Sequence, residues 1–300
     1  MFSHGVRSSG LRANIGHHAR FLSAAKPALL LRDRSDSGVV TLTMNNEKRL
    51  NAWTAPMVHS LKAALDEAAA DDASKVVILT GAGKFYCAGA DLSALIRPMA
   101  PGAMHELIRR ENEALFELFL GFPKPLIAAV QGPAIGASVT SSVLCDATLA
   151  SAEGATFSTP FAKLGIVPEG CSSVLFERLM GAGNAERMLG AEGWAPTAAE
   201  AEAAGMITRA VAHGELLAEA TALAERWAAE GKVRDLVANP AALAELRAVN
   251  AQESVALATA FLGEDFLRGQ RDFLLSRKKD GPARVFSVLL ATRPLWIRMV

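Results

Sequence analysis

Residues 125–145 carry no charge at all. A run that apolar is held either across a membrane or inside a covered core. About 20 apolar residues suffice to span a bilayer, so the run is long enough for a membrane span. Gln131-Gly132-Pro133 cuts the run in two, and Ser138, Thr140, Ser141 and Ser142 make its second half polar. The run therefore reads as a buried strand over 126–130, a sharp turn, and a buried helix from Ala134. Its neighbours repeat the alternation. Residues 29–31 and 39–44 read as strands around the turn residues 35–38. Asn45 to Asn51 is a polar loop. Thr54 caps a helix with Pro56 in its first turn, and Met57, Leu61, Leu65 and Ala68 recur at helical spacing. Residues 76–80 form a short buried strand and 104–120 an amphipathic helix. Strand, helix, strand, helix is the pattern of an α/β layer fold.

Further along, residues 146–150 and 207–211 read as strands, and 174–180, 215–230 and 240–280 as helical. The last twenty residues are apolar enough to dock on the body or on a neighbouring subunit. Residues 1–26 stand apart: Arg7, Arg12, Arg20 and Lys26 with histidines and serines, and no acid before Asp33. That is the composition of an organellar transit peptide, mitochondrial rather than plastid. The terminal Arg298-Met299-Val300 is not the Ser-Lys-Leu peroxisomal signal. The expected organisation is this leader, a catalytic core over 27–230, and a helical C-terminal extension over 231–300.

The 31 basic residues equal the 31 acidic ones. No nucleic-acid or anionic-membrane surface is expected from that balance. Cys87, Cys145 and Cys171 are widely spaced and odd in number, which fits neither a metal site nor a disulfide framework. One carboxylate, Glu169, stands in the otherwise uncharged run 164–175. Pro168 fixes the backbone before it and Gly170 frees the turn after it. Ser172 and Ser173 then suit a helix start. An acid on such a turn among apolar neighbours holds its proton tightly, as a general base working near neutral pH requires. The plainer alternative is an exposed loop glutamate.

Two small-residue stretches follow buried strands: residues 83–92, and Gln131-Gly132-Pro133-Ala134-Ile135-Gly136-Ala137-Ser138. Backbone there can approach a ligand closely and offer it N–H groups. First-turn N–H groups of a helix lack internal partners and suit an oxyanion. Tight strand-to-helix packing is the alternative for each. Gly83-Lys84 is not a phosphate loop, because Ile78 and Phe85 stand where that motif needs Gly and Ser or Thr.

With these residues in view, the chain resembles the crotonase (enoyl-CoA hydratase/isomerase) superfamily. The likeness rests on Asn45-Asn46, Arg49-Leu50-Asn51-Ala52, and Phe85-Tyr86-Cys87-Ala88-Gly89-Ala90-Asp91-Leu92. It continues through Ala129 to Ala137, Cys145-Asp146-Ala147 and Pro160-Phe161-Ala162-Lys163-Leu164-Gly165. The resemblance implies a spiral of ββα units and assembly as a homotrimer or dimer of trimers. It implies a thioester oxygen held by the N–H groups of Ala90 and Ala137. Arg49, Asn51, Ala52, Ala88, Gly89, Ala90, Asp91, Leu92 and Gly136 would line the path of coenzyme A, which is part of the substrate. No separate cofactor and no metal is implied.

Hydratases of this superfamily use two glutamates, whose matches here are Thr140 and Phe161. Pro168-Glu169-Gly170-Cys171-Ser172-Ser173 instead is similar to the peroxisomal-type Δ3,Δ2-enoyl-CoA isomerases of fatty acid β-oxidation, with the catalytic acid at Glu169. Location is then mitochondrial by the leader or peroxisomal by the resemblance. Three alternatives stay open. They are hydration or thioester hydrolysis using Glu169 and a water, a non-catalytic scaffold or RNA-binding relative, and a hydrolase using Ser138 or Ser172. The last lacks a Gly-x-Ser-x-Gly elbow. His59 reads as solvated, Trp53 and Trp194 as packing residues, and Asp91 as a cap. Cys171, at a helix start, is a candidate for a lowered thiol pKa, with buried filler the plainer role.

Overall fold

Residues at alternate positions of the central strands point to opposite sides and find different partners. The computed structural model describes Met1 and residues 28–92 and 98–299, so the expected leader lies outside the described residues. The strands in chain order are β1 (Leu30–Arg34), β2 (Val39–Met44), β3 (Val76–Gly81), β4 (Leu126–Val130), β5 (Ala134–Ile135), β6 (Ala147–Ser151), β7 (Phe157–Ser158) and β8 (Arg209–Val211). Six make one sheet in the order β1-β2-β3-β4-β6-β8, and β5 pairs with β7 separately. Only β1 runs antiparallel to its neighbour in the large sheet.

The helices are α1 (Ala55–Ala70), α2 (Pro101–Leu120), α3 (Ala137–Ser142), α4 (Phe161–Leu164), α5 (Ser172–Leu189), α6 (Ala198–Ala203), α7 (Leu216–Glu230), α8 (Asp235–Ala238), α9 (Pro240–Phe261), α10 (Glu264–Ser276) and α11 (Asp280–Trp296). Val40, Leu42, Val77, Leu79, Ala128 and Val130 pack with Met57 and Leu61 of α1 and Phe116 and Phe119 of α2. Val39, Val76, Ile78, Ile127 and Ala129 pack on the other side with Leu216, Ala220 and Ala224 of α7. Period-two alternation feeding two covered faces explains why β3 and β4 read as continuous apolar runs. No helix among the described residues is long and apolar enough to cross a membrane.

The helix expected from Ala134 begins later. Ala134 N–H donates to Thr156 O (2.8 Å) and Gly136 N–H to Ser158 O (2.7 Å), so these residues are a strand. The chain turns into α3 only after Gly136, at φ +56°. The short β7 and α4 carry no periodicity to foretell them.

The C-terminal helices build a third cluster, in which Phe266, Leu267, Phe286, Leu289 and Trp296 join Met104 and Ile108 of α2. The apolar tail therefore docks on its own chain. α9 lies along α2, where Asn250 donates to Glu113 O (3.0 Å) and Asn112 to Ser254 Oγ (3.0 Å). Nearer the sheet, Arg234 is fully buried. Its guanidinium donates to Phe122 O (2.6 Å) and Leu144 O (2.9 Å) and lies 3.5 Å from Asp146.

Candidate functional site

β3 and β4 end side by side, and the stretches that follow them are zipped together. Gln131 does part of this: its Oε1 accepts the Gly81 N–H (3.2 Å) and its Nε2 donates to Phe85 O (2.8 Å). Ile135 N–H donates to Cys87 O (3.0 Å). The Ser138 hydroxyl donates to that same oxygen (2.9 Å) and accepts the Ile135 N–H (2.9 Å). Gly89 sits at φ +82°, where a Cβ would fall 2.5 Å from Ile135 O and 3.8 Å from the Ala137 nitrogen. Only glycine lets the two backbones meet this closely.

The orientation of Ala90 follows from its other neighbour. Trp53 N–H donates to Gly89 O (2.9 Å), and Asp91 N–H donates to Trp53 O (3.3 Å). In a parallel bridge those two bonds take the groups on either side of Ala90 and turn its own N–H away. Ala137 is the first residue of α3, so its N–H has no partner within the helix. Both residues expected to offer free donors thus sit on adjoining strands of backbone with their N–H groups unspent by secondary structure.

Glu169 lies on the turn into α5 and is buried, 7 % exposed. The exposed-loop alternative therefore fails. Gly170, at φ +66°, packs against Phe116 of α2 and Thr140 of α3; a Cβ there would fall 2.7 Å from Thr140 Oγ1. Thr140 Oγ1 in turn donates to Ala137 O (3.2 Å). The acid's turn is thereby packed one helical turn from the α3 donor. Among the described residues no donor is hydrogen-bonded to the Glu169 carboxyl. Burial, with a smaller contribution from Glu253, pushes its pKa up to about 8. Thr140 and Phe161 are both buried, so the two positions where hydratases are expected to carry glutamates present a hydroxyl and a ring.

Glu253 is the residue that sequence reading missed. It is buried on α9, and its carboxylate accepts the N–H groups of Cys171 (2.6 Å) and Ser173 (2.9 Å). One signal pointed to it: Leu246, Asn250, Glu253, Leu257 and Phe261 form the buried stripe of α9, so this charge falls on the inward face. Cys171 does not have a lowered pKa. Burial first, and Glu253 second, push its thiol up to about 12.

Of the residues expected along the ligand path, Arg49, Asp91 and Leu92 line one pocket of about 690 Å³. Lys163 and Gly165 line it as well, with Phe273 of α10, Lys279 just before α11 and Phe286 of α11. Glu169 does not line that pocket. Ala88 donates to Leu50 O (3.0 Å) and Ala52 to Arg49 O (2.9 Å), which folds the Arg49 loop onto the Gly89 stretch. Asn51 needs correction as a ligand contact. It is fully buried, and its amide is taken up by Asn46 N–H (2.8 Å), Ala82 O (2.9 Å) and Phe85 O (2.8 Å). Its part is to hold the loops. Ser172 Oγ donates to Glu169 O (2.7 Å). With the Ser138 hydroxyl also committed, neither serine is set up as a nucleophile. Trp53 is buried and stacked on Phe119, Trp194 lies under Arg187, and His59 is exposed, as expected.

Comparison with known proteins gives a consistent result. A family model described as enoyl-CoA hydratase/isomerase matches residues 34–278. The rat protein named Enoyl-CoA delta isomerase 2 is 35% identical over 258 residues, covering 82% of this chain and 63% of that protein. The chain thus spans less than two thirds of that relative. The mouse protein named Enoyl-CoA delta isomerase 3, peroxisomal, is 33% identical over 258 residues, covering 82% of this chain and 78% of that one. Among solved structures, an enoyl-CoA hydratase/isomerase from Pseudoalteromonas atlantica T6c superposes with a TM-score of 0.71. Its identity is 27%, over 83% of this chain and 97% of that one.

Proposed function

The chain belongs to the enoyl-CoA hydratase/isomerase family, and from that premise we propose that it is a Δ3,Δ2-enoyl-CoA isomerase. The thioester carbonyl oxygen of a 3-enoyl-CoA lies between the N–H groups of Ala90 and Ala137. Glu169 takes a proton from C2. The electron pair moves to the thioester oxygen, where each N–H donor is typically worth about 3 kcal/mol in the transition state. Glu169 returns the proton at C4, and the double bond ends conjugated at C2–C3. One carboxyl suffices because the group that accepts the proton also gives it back.

The observation that carries this reading is a buried carboxyl, Glu169, with no hydrogen-bond donor among the described residues, where Thr140 and Phe161 replace the two glutamates of a hydratase. The zipped stretches behind Ala90 and Ala137 support the oxyanion assignment. Coenzyme A arrives as part of the substrate along the Arg49–Asp91 pocket, and neither metal nor redox cofactor takes part. The reaction serves fatty acid β-oxidation. We place the enzyme in mitochondria on its leader, with peroxisomes as the alternative compartment, as a homotrimer or dimer of trimers. The core over 27–230 carries the donors and the acid, and the extension over 231–300 supplies Glu253 to the turn that holds the acid.

The test is conversion of 3-enoyl-CoA substrates of varied chain length by the wild-type protein and by Glu169→Gln. Wild type should form 2-enoyl-CoA. The variant should bind acyl-CoA yet turn over at least 100-fold more slowly, the lower range for loss of an acid–base group. Near-wild-type turnover in the variant, or 3-hydroxyacyl-CoA as the chief product of a 2-enoyl-CoA incubation, would overturn the reading.

A further inference from the structure

A second buried acid stands behind the first. The turn Gly170-Cys171 has both residues in the left-handed region, φ +66° and +64°. Glycine adopts that conformation freely, but Cys171 pays a steric cost for it. Something must hold it there, and Glu253 is in place to do so. Its two carboxylate oxygens receive the N–H groups of Cys171 and Ser173, the donors that open α5. The bonds cross from α9, 82 and 80 residues further along the chain. Glu169 is fastened to the same turn through its own carbonyl, which accepts from Ser172 N–H (3.2 Å) and Ser172 Oγ (2.7 Å).

We propose that Glu253 is a positioning residue for Glu169, a carboxylate delivered by α9 that clamps the left-handed turn and presents a negative charge to the base. The inference rests on the reading of Glu169 as the acid–base group. A merely structural cap explains it less well. A neutral side-chain oxygen would satisfy the N–H groups of a helix start, whereas a buried carboxylate carries a desolvation cost. A second acid beside the first adds like-charge repulsion as well, which favours the protonated form of whichever acid is less well solvated. Burial raises both carboxyls, but among the described residues Glu253 has two N–H donors and Glu169 has none, so Glu253 ionises first and Glu169 ionises to its working form only at higher pH.

The other charges around the turn do not compete for this role. Arg109–Glu113 on α2, Arg247–Glu117 between α9 and α2, and Arg178–Glu245 between α5 and α9 are paired and partly exposed. The Cys171 thiol is neutral at working pH. Phe116 and Thr140, from α2 and α3, bring no charge to Gly170.

The experiment compares wild type, Glu253→Gln and Glu253→Asp. Three quantities are read: kcat and KM on a 3-enoyl-CoA, the acid limb of the pH profile, and the titration midpoint of the Glu169 carboxyl. The midpoint comes from carbon-13 NMR on glutamate-labelled protein, with the resonance assigned through Glu169→Gln. In Glu253→Gln, kcat should fall about 10- to 100-fold, as for a misplaced catalytic group, with KM within about threefold. The acid limb and the Glu169 midpoint should both move to lower pH. Glu253→Asp keeps the charge but shortens the reach. Its kcat should fall while its midpoint stays above that of Glu253→Gln. A cap without a positioning role would lower Tm and leave kcat and midpoint at wild-type values, and that result overturns the proposal. Should Glu253→Gln not fold, wild-type kcat and midpoint in Glu253→Asp overturn it equally. If wild type isomerises no 3-enoyl-CoA, the reaction assignment falls, and the NMR midpoint alone decides on Glu253.

Discussion

Burial of Glu169 converts directly into proton affinity, and two pH dependences follow from it. A base must be ionised to act, so kcat/KM on 3-enoyl-CoA should rise with pH to a limb centred near 8, the value burial gives this carboxyl. A limb near 4.5 would mean that the carboxyl is solvated in the working enzyme. Stability should run the other way. Between the ordinary value of 4.5 and about 8 the folded protein holds a proton that the unfolded chain has released. The native state then binds more protons, so stability declines as pH rises through this window and levels off above it. Glu169→Gln abolishes that titration. Its Tm relative to wild type should be close to zero at pH 5 and clearly positive at pH 9. At about 1.4 kcal/mol per pKa unit the gain is a few kcal/mol. Calorimetry at the two pH values checks it, and equal gaps at both would place the retained proton on another group. Glu169 was legible in the sequence because it is the one charge in an uncharged run. Glu253 was not, because Asn250 to Ser254 reads as a polar helix segment until the turn it caps, some eighty residues away, is folded against it.

At the scale of elements, the site depends on how closely two loops approach. The strands that launch them, β3 and β4, were readable from branched and small apolar residues in short runs. The pairing of the loops was not, because β5 is two residues long and is defined by partners at Thr156 and Ser158 and by the bond to Cys87. Such an element has no period of its own, so a helix from Ala134 was the natural expectation from sequence. Gly89 tests the approach directly. Gly89→Ala would place a methyl 2.5 Å from Ile135 O at a backbone angle L-residues rarely adopt. The two stretches must then separate by about the 1 Å that proximity arguments treat as damaging. We expect kcat for isomerisation to drop about 100-fold or more, the scale of losing one oxyanion donor, while far-ultraviolet circular dichroism stays native. An Ala variant with full kcat would show that the closeness of these loops does not matter to catalysis.

Across the whole molecule, a buried ion pair fastens the start of α8, ahead of the C-terminal helices, to the sheet. Asp146 stands just before β6. Its carboxylate accepts the Leu126 N–H at the start of β4 (2.8 Å) and the Asp235 N–H at the start of α8 (2.8 Å). Arg234 answers it from the other side, holding the carbonyls of Phe122 after α2 and Leu144 after α3. Both side chains are almost wholly out of solvent, 0% and 2% exposed. The arrangement was invisible in the sequence, where a lone arginine between Val233 and Asp235 looks like one more surface charge. Burying both charges is costly, and a well-packed apolar pair of similar volume need not be less stable. Removing one partner is different, because Asp146 would keep its charge with no cation, and two carbonyls would lose their donors. Arg234→Met should therefore lower unfolding stability by about 3–5 kcal/mol, a large share of the roughly 5–15 kcal/mol typical of a folded domain. The double change Arg234→Met with Asp146→Asn should recover part of that loss, since the stranded charge is gone while Asn Oδ1 still accepts one N–H. Urea unfolding of the two variants measures both numbers. If the single change costs less than about 1 kcal/mol, the surface-pair range, water reaches this arginine and the clamp between sheet and C-terminal helices lies elsewhere.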